Sequence, residues 1–220
     1  MKFNIAIDGP AGAGKSTIAK RLAKELGYVY VDTGAMYRAM AYFFIKKDIS
    51  SDELEKISKE CDNINITISY LEGEQQVILN GENVNGYIRN EEVGNMASAI
   101  SVYPVIREKL VELQRKLADS ENVIMDGRDI GTVVLPNANV KIYLTASSKV
   151  RALRRFEELT AKGISCNLDE IEKDIIERDN RDMNRETSPL KMADDAVLID
   201  SSELDIDGVI DEMKKIISEA

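Results

Sequence analysis

The chain has 220 residues, 44% of them hydrophobic and 31% charged, with a formal net charge of -10. That is enough chain for one buried core, and no apolar run reaches the roughly 18 residues needed to span a bilayer. There is no histidine, which excludes Ser-His and Cys-His nucleophilic systems and histidine metal sites; the acidic balance argues against nucleic-acid binding through a basic face.

The chemistry must therefore run on lysine, arginine, carboxylates, backbone amides and bound metal, a set suited to phosphoryl transfer. The charge is unevenly spread. Residues 1–47 carry 8 basic and 3 acidic side chains, residues 48–100 carry 3 and 11, and residues 192–220 carry 2 and 9. Cys61 and Cys166 have no metal-site spacing. With no signal-like leader after Met1-Lys2, they fit a reducing cytoplasm.

In chain order, Phe3–Asp8 reads as a short buried strand. A glycine-rich turn follows, then a helix from about Lys15 to Leu26 that Gly27 stops. Tyr28–Asp32 is a second strand, and Thr33-Gly34 turns the chain into a helix through Met36, Met40 and Phe43-Phe44. Strand–helix–strand–helix order predicts a parallel sheet. Asn65–Tyr70 and Gln76–Asn80 alternate instead, and Asn80-Gly81 is a strong turn signal. Residues 62–92 are read as a small inserted antiparallel lobe; extra edge strands on the main sheet are the other reading. A helix follows at about Pro104–Ala118, then strands Val123–Met125 and Val140–Leu144. Helices are predicted near Lys149–Lys162 and Asp169–Arg185. A last strand, Ala196–Asp200, precedes an amphipathic helix through Val209, Ile210, Met213, Ile216 and Ile217.

Gly9-Pro10-Ala11-Gly12-Ala13-Gly14-Lys15-Ser16 matches G-x-x-x-x-G-K-[ST] between a strand and a helix. Its glycines let backbone amides curl around phosphates, helped by the helix N-terminus. Lys15 would reach the β- and γ-phosphates of ATP, Ser16 would ligate Mg²⁺, and Thr17 lies against the same nucleotide. No N-K-x-D guanine-reading motif accompanies the loop. Asp126, at the end of its strand, either helps hold the metal or caps the next turn.

Three further groups share the strand C-terminal edge, where ligands bind in such sheets. Arg38 follows the second strand and either holds a second phosphate or is an ordinary helix arginine. Arg128-Asp129 either grip phosphate and a base amino group or form a local ion pair. Arg178, Arg181, Asp182 and Arg185 fall at i, i+3, i+4 and i+7 on one helix face, as a phosphate-closing cluster or a solvated, salt-bridged surface. With the phosphate loop present, the functional reading is favoured.

These blocks resemble the bacterial-type cytidylate kinases. The likeness is carried by Asp8–Ser16, Asp32-Thr33-Gly34-Ala35-Met36-Tyr37-Arg38, Ile88-Arg89, Ala97-Ser98, Pro104–Glu108, Asp126-Gly127-Arg128-Asp129-Ile130-Gly131-Thr132-Val133-Val134, Glu177–Asp179, Arg181-Asp182 and Asn184-Arg185. The resemblance implies an α/β P-loop kinase core with a parallel sheet flanked by helices (1–61, 93–146, 187–220), a nucleoside-monophosphate lobe (62–92) and an arginine-rich helical lid (147–186). It implies that Thr33, Tyr37, Arg38 and Arg128 hold the acceptor nucleotide and its phosphate. By the same resemblance, Ser98, Arg107 and Asp129 read cytosine, Arg178 and Asp182 contact the sugar, and Arg178 and Arg185 supply charge near the phosphates. Lys15, Arg128, Arg178 and Arg185 are the expected catalytic residues. The expected reaction is transfer from ATP, with Mg²⁺, to CMP or dCMP, in a cytoplasmic monomer with no nucleic-acid or membrane partner. A kinase for another small acceptor and a non-catalytic nucleotide switch are the competing readings.

Overall fold

The structure, a computed structural model, describes residues 2–220. Its elements are β1 (Asn4–Asp8), α1 (Lys15–Leu26), β2 (Val29–Asp32), α2 (Thr33–Lys46), α3 (Leu54–Cys61), β3 (Ile66–Leu71), β4 (Glu74–Leu79), β5 (Glu82–Asn83), α4 (Glu91–Ile100), α5 (Pro104–Ser120), β6 (Val123–Gly127), β7 (Val140–Thr145), α6 (Ser148–Ala161), α7 (Leu168–Asn184), β8 (Val197–Asp200) and α8 (Ile206–Ser218). One π-helical turn, Ile130–Val134, joins β6 to β7.

Five strands form a parallel sheet in the order β2-β6-β1-β7-β8, and β3-β4-β5 form a separate antiparallel sheet. The central strand β1 is buried on both faces, which is why it reads as a nearly unbroken apolar run. Ile5 and Ile7 pack toward α1 and α8, while Ala6 packs on the opposite face, toward α2. Helix α2 is apolar almost all round because it lies between the two sheets. Met36, Met40 and Phe44 are fully buried, in one core with Ile66, Val77 and Leu79 of the antiparallel sheet.

Local signals account for the boundaries. Gly27 ends α1 in the left-handed conformation, φ 70°, and donates its N–H to the Ala23 carbonyl. Asp32 caps α2 by accepting from the Ala35 N–H at 2.8 Å. Asn80 and Gly81 take φ 49° and 88°, the paired positive values of a two-residue hairpin turn. The antiparallel sheet also covers the open edge of β2. The Gln75 amide bonds both the N–H and the carbonyl of Asp32 (2.8 and 3.2 Å), and the Tyr70 hydroxyl donates to the Tyr30 carbonyl.

Four elements are absent from the sequence reading: α3, β5, α4 and the π-helical turn. One predicted element needs correction. Helix α7 stops at Asn184, and Arg185 is extended (ψ 141°), its Nε donating to the Ser188 carbonyl at 2.7 Å. Arg185 therefore leaves the helix face it was expected to share with Arg178 and Asp182. No helix among the described residues is long and apolar enough to cross a membrane.

Phe44 joins the two sheets through one core and is fully buried. Phe44→Ala is expected to cost about 3–5 kcal/mol. Urea unfolding checks this: the midpoint should fall while the slope of the transition stays constant.

Candidate active site

The parallel register fixes the site. Asp8 pairs with Gly127 and Asp32 with Asp126 across β1, β6 and β2, so the loops after these strands open at one edge. The loop after β1 is held tightly. Gly9 has φ 147°, and a Cβ there would lie 1.9 Å from the Leu144 carbonyl oxygen, so only glycine fits. Lys15 is buried and its Nζ donates to the Pro10 carbonyl at 2.7 Å. Burial, reinforced by the nearby Arg128 guanidinium, pushes its ammonium well below the usual lysine range, against the pull of Asp126 and Asp8. A bound polyphosphate would restore the charged form.

Asp126 sits beside Lys15 at the centre of a hydroxyl network. Its Oδ2 accepts from Ser16 at 2.8 Å and its Oδ1 from Tyr30 at 2.9 Å, while its carbonyl accepts from Thr33 at 2.7 Å. Burial, aided by repulsion from Asp32, raises its carboxyl to about 6. Asp126 thus faces the P-loop serine, which favours the metal reading over a turn cap. A cleft of about 230 Å³ opens here, lined by Ser16, Thr17, Lys20, Tyr30, Asp32, Gln75 and Arg89 among others.

The arginines lie across the same edge. Arg38 is half-buried; burial lowers its basicity, with Asp32 opposing and Arg89 and Arg128 repelling. Arg128 Nε donates to Asp182 Oδ2 at 2.9 Å. Arg178 is lowered to about 10 by burial and by Arg128, and its Nε is buried without a partner. Arg38, Arg128, Arg178 and Asp182 therefore lie together in one cluster of net positive charge. Arg181 is exposed instead, outside this group.

A second cluster surrounds Asp129. Arg107 Nη2 pairs with Asp129 Oδ2, and Arg107 Nη1 donates to the Ser101 carbonyl at 3.3 Å. Arg185 brings Nη1 to the Ser101 hydroxyl at 3.3 Å and Nη2 to 3.8 Å from Asp129 Oδ1. The Arg107 guanidinium lies 5.8 Å from the Tyr37 ring centroid. Ser98 is buried with its hydroxyl unpaired. Thr33, expected on the acceptor phosphate, spends its proton on the Asp126 carbonyl, leaving only its lone pairs free.

Asp8 was not singled out from the sequence. It is buried, accepts from the Ile130 and Gly131 amides at 2.8 and 2.7 Å, and is raised to about 6 by burial. It joins the phosphate loop to the turn that carries Arg128 and Asp129. The signal was an acid ending an otherwise apolar strand.

A parallel sheet, a glycine-cradled loop ending in a buried lysine and a facing arginine cluster define a P-loop kinase. The family model described as cytidylate kinase matches residues 5–219. The chain is 50% identical to the cytidylate kinase of Ligilactobacillus salivarius over 99% of this chain and 97% of that one. It is 52% identical to that of Alkaliphilus metalliredigens over 96% and 94%. Among solved structures, the shikimate kinase of Bacteroides thetaiotaomicron shares the fold at TM-score 0.50 and 15% identity, covering 98% of each chain. An uncharacterized protein from Eubacterium ventriosum reaches TM-score 0.56 at 14% identity, covering 100% of each chain. The chain belongs to the cytidylate kinase family.

The Asp126 carboxyl stands near 6 in the fold against about 4 unfolded, so the folded form binds its proton more tightly. Ionising it costs stability as pH rises from about 4 to 6, and the cost is complete above that. Asp126→Asn should therefore melt a few degrees above the parent at pH 7.5 in the absence of ligand, and the gain should be about halved at pH 5 and gone near pH 4. Thermal scans across this range check the sign.

Proposed function

We infer that the protein transfers the γ-phosphoryl group of ATP to CMP or dCMP, giving ADP and CDP or dCDP. The observation that carries this reading is the buried Arg107–Asp129–Arg185 cluster, at the sheet edge shared with the phosphate loop, in a chain of this family. Cytosine offers an N4 amino donor beside N3 and O2 acceptors. Asp129 accepts from N4, and Arg107 and the unpaired Ser98 hydroxyl face the rest of the ring. Uracil presents a carbonyl at position 4, which leaves the carboxylate facing another acceptor.

The phosphate loop and Lys15 hold the donor phosphates. Arg38, Arg128 and Arg178 hold the acceptor phosphate, with Asp182 orienting Arg128 and reaching the sugar beside Arg178. The acceptor phosphate is already an anion near neutral pH, so it attacks in line without a general base. Arg178 neutralises charge at the phosphates, in keeping with its burial-lowered basicity, while Arg185, drawn off the face of α7 to Ser101 and Asp129, braces the base-reading carboxylate instead. Residues 62–92 act as the acceptor lobe and 147–186 as a lid that excludes water over a core of 1–61, 93–146 and 187–220. The protein works as a monomer in the cytoplasm.

The residues fit a magnesium ion. Ser16 and Asp126 are hard oxygen donors in contact with each other, and a cation beside Asp126 would relieve the burial that raises it. No cluster of three metal-ligating His, Cys, Asp or Glu side chains occurs among the described residues, as suits an ion that keeps water and phosphate ligands. When bound, Mg²⁺ draws charge from the phosphate oxygens as a Lewis acid.

An ADP-release assay comparing CMP, dCMP, UMP, AMP, GMP and dTMP tests the reading. Fast turnover of CMP and dCMP with weak UMP turnover is expected, and Lys15→Ala should be nearly inactive. Asp129→Asn should lower kcat/KM for CMP by about a hundredfold and shrink the CMP-to-UMP ratio. Turnover of another acceptor would keep the kinase and remove the cytosine assignment. No turnover despite ATP binding would favour a different small acceptor or a switch.

A further inference from the structure

Arg151 lies on the first turn of α6 and is buried, although the roles above make no use of it. All three of its nitrogens are engaged by the protein. Nε donates to the Ala146 carbonyl at 2.9 Å and Nη1 to the Ala11 carbonyl at 2.9 Å, and Nη2 pairs with Asp179 Oδ2 at 2.6 Å. Ala11 is in the phosphate loop, 140 residues away in sequence. Asp179 is on α7, next to Arg178 and one turn before Asp182. A planar guanidinium reaches three such acceptors with three separate nitrogens around its rim, whereas an ammonium has to donate all its protons from a single nitrogen.

The Ala11 contact bears on anion binding. No peptide bond among the described residues is cis, so the carbonyl of Ala11 and the N–H of Gly12 lie in one plane and point in opposite directions. Drawing the carbonyl toward α6 turns the Gly12 N–H the other way, and no protein group among the described residues accepts it. Gly12, at φ 77°, leaves that plane free to rotate unless something holds it. The packing is close as well: a Cβ on Gly12 would lie 3.3 Å from the Arg151 Cβ.

We propose that Arg151 is a positioning residue that clamps the Ala11 carbonyl, so that the Gly12 N–H stays aimed at the donor phosphates, and that through Asp179 it ties this loop to the arginine-bearing helix α7. Arg151 itself touches no phosphate. Its neighbours in α6 are tied elsewhere: Arg154 donates to the Ser201 carbonyl at 2.8 Å, and Arg155 pairs with the exposed Glu158. The proposal rests on the phosphate loop binding the donor and is independent of the cytosine assignment.

The test compares Arg151→Lys, Arg151→Gln and Asp179→Asn with the parent. ADP affinity is read by calorimetry, KM for ATP and for CMP by steady-state kinetics, and folding by thermal melts. Both Arg151 variants should lose ADP affinity by about tenfold, because lysine keeps the charge and loses the fork. KM for CMP should stay within about twofold, and Asp179→Asn should lose ADP affinity by about threefold. Full rescue by lysine would overturn the proposal in favour of a direct charge contact with phosphate. Unchanged ADP affinity in all three variants would overturn it too, as would a parallel loss of ADP and CMP binding with lowered melting points, the mark of general support. Failure of the parent to bind ADP would remove the phosphate-loop reading, and the clamp with it.

Discussion

The constraint behind the whole arrangement is the burial of three carboxylates at one edge of a parallel sheet. Asp8, Asp32 and Asp126 are each about 95% buried. Strand register places them there, because Asp32 is paired with Asp126, and Ile7 beside Asp8 is paired with the same residue. A buried charge is costly unless something meets it, and each acid is met differently. Asp8 takes two amides, Asp32 takes one amide and the exposed Arg89, and Asp126 takes two hydroxyls. Amides and hydroxyls satisfy lone pairs without cancelling charge, which is why Asp8 and Asp126 both titrate high. The edge is built to receive positive charge at Asp126.

The arginines mirror this imbalance. Arg38, Arg128 and Arg178 repel one another, and Asp182 answers only part of their charge. Acids with too little cation and arginines with too little anion lie side by side, with Lys15 between them. A ligand that brings metal and phosphate together relieves both at once. Anything that binds only the folded form stabilises it, so this site gains fold stability when it is filled. The molecule keeps part of its stability in reserve until its ligands arrive.

Local chemistry was legible in the sequence wherever one residue type has one use. The phosphate loop, the limits of α1 and the Asn80-Gly81 turn all follow from glycine and cap rules. The shorter helices escaped because their patterns are thin. Helix α3 buries only Ile57 and Cys61, and the turn at Ile130–Val134 has a β-branched sequence bent into a π-helix. The site was legible as a set of residues but not as pairs. Arg151 with Ala11, and Asp8 with Gly131, meet through tertiary folding across more than 120 residues, which no periodicity reports. Arg185 was placed on the right element's end and the wrong face, because a helix continued by rule cannot show where a backbone carbonyl draws the side chain off it.

That departure has a use in the reading proposed above. On the face of α7, Arg185 would join the phosphate cluster; off it, the residue reaches Ser101 and Asp129. Asp129 then has an arginine at each oxygen, and these limit the upward push of burial on its carboxyl. An ionised carboxylate only accepts, at about four lone-pair positions, so with an arginine at each oxygen it still has room for a further donor and offers nothing to an acceptor. An amino group fits that vacancy and a carbonyl does not. In that reading, discrimination between two pyrimidines that differ in one exocyclic group rests on arginines that fix the carboxylate before the base arrives, and one of them is there because the helix ends a residue early.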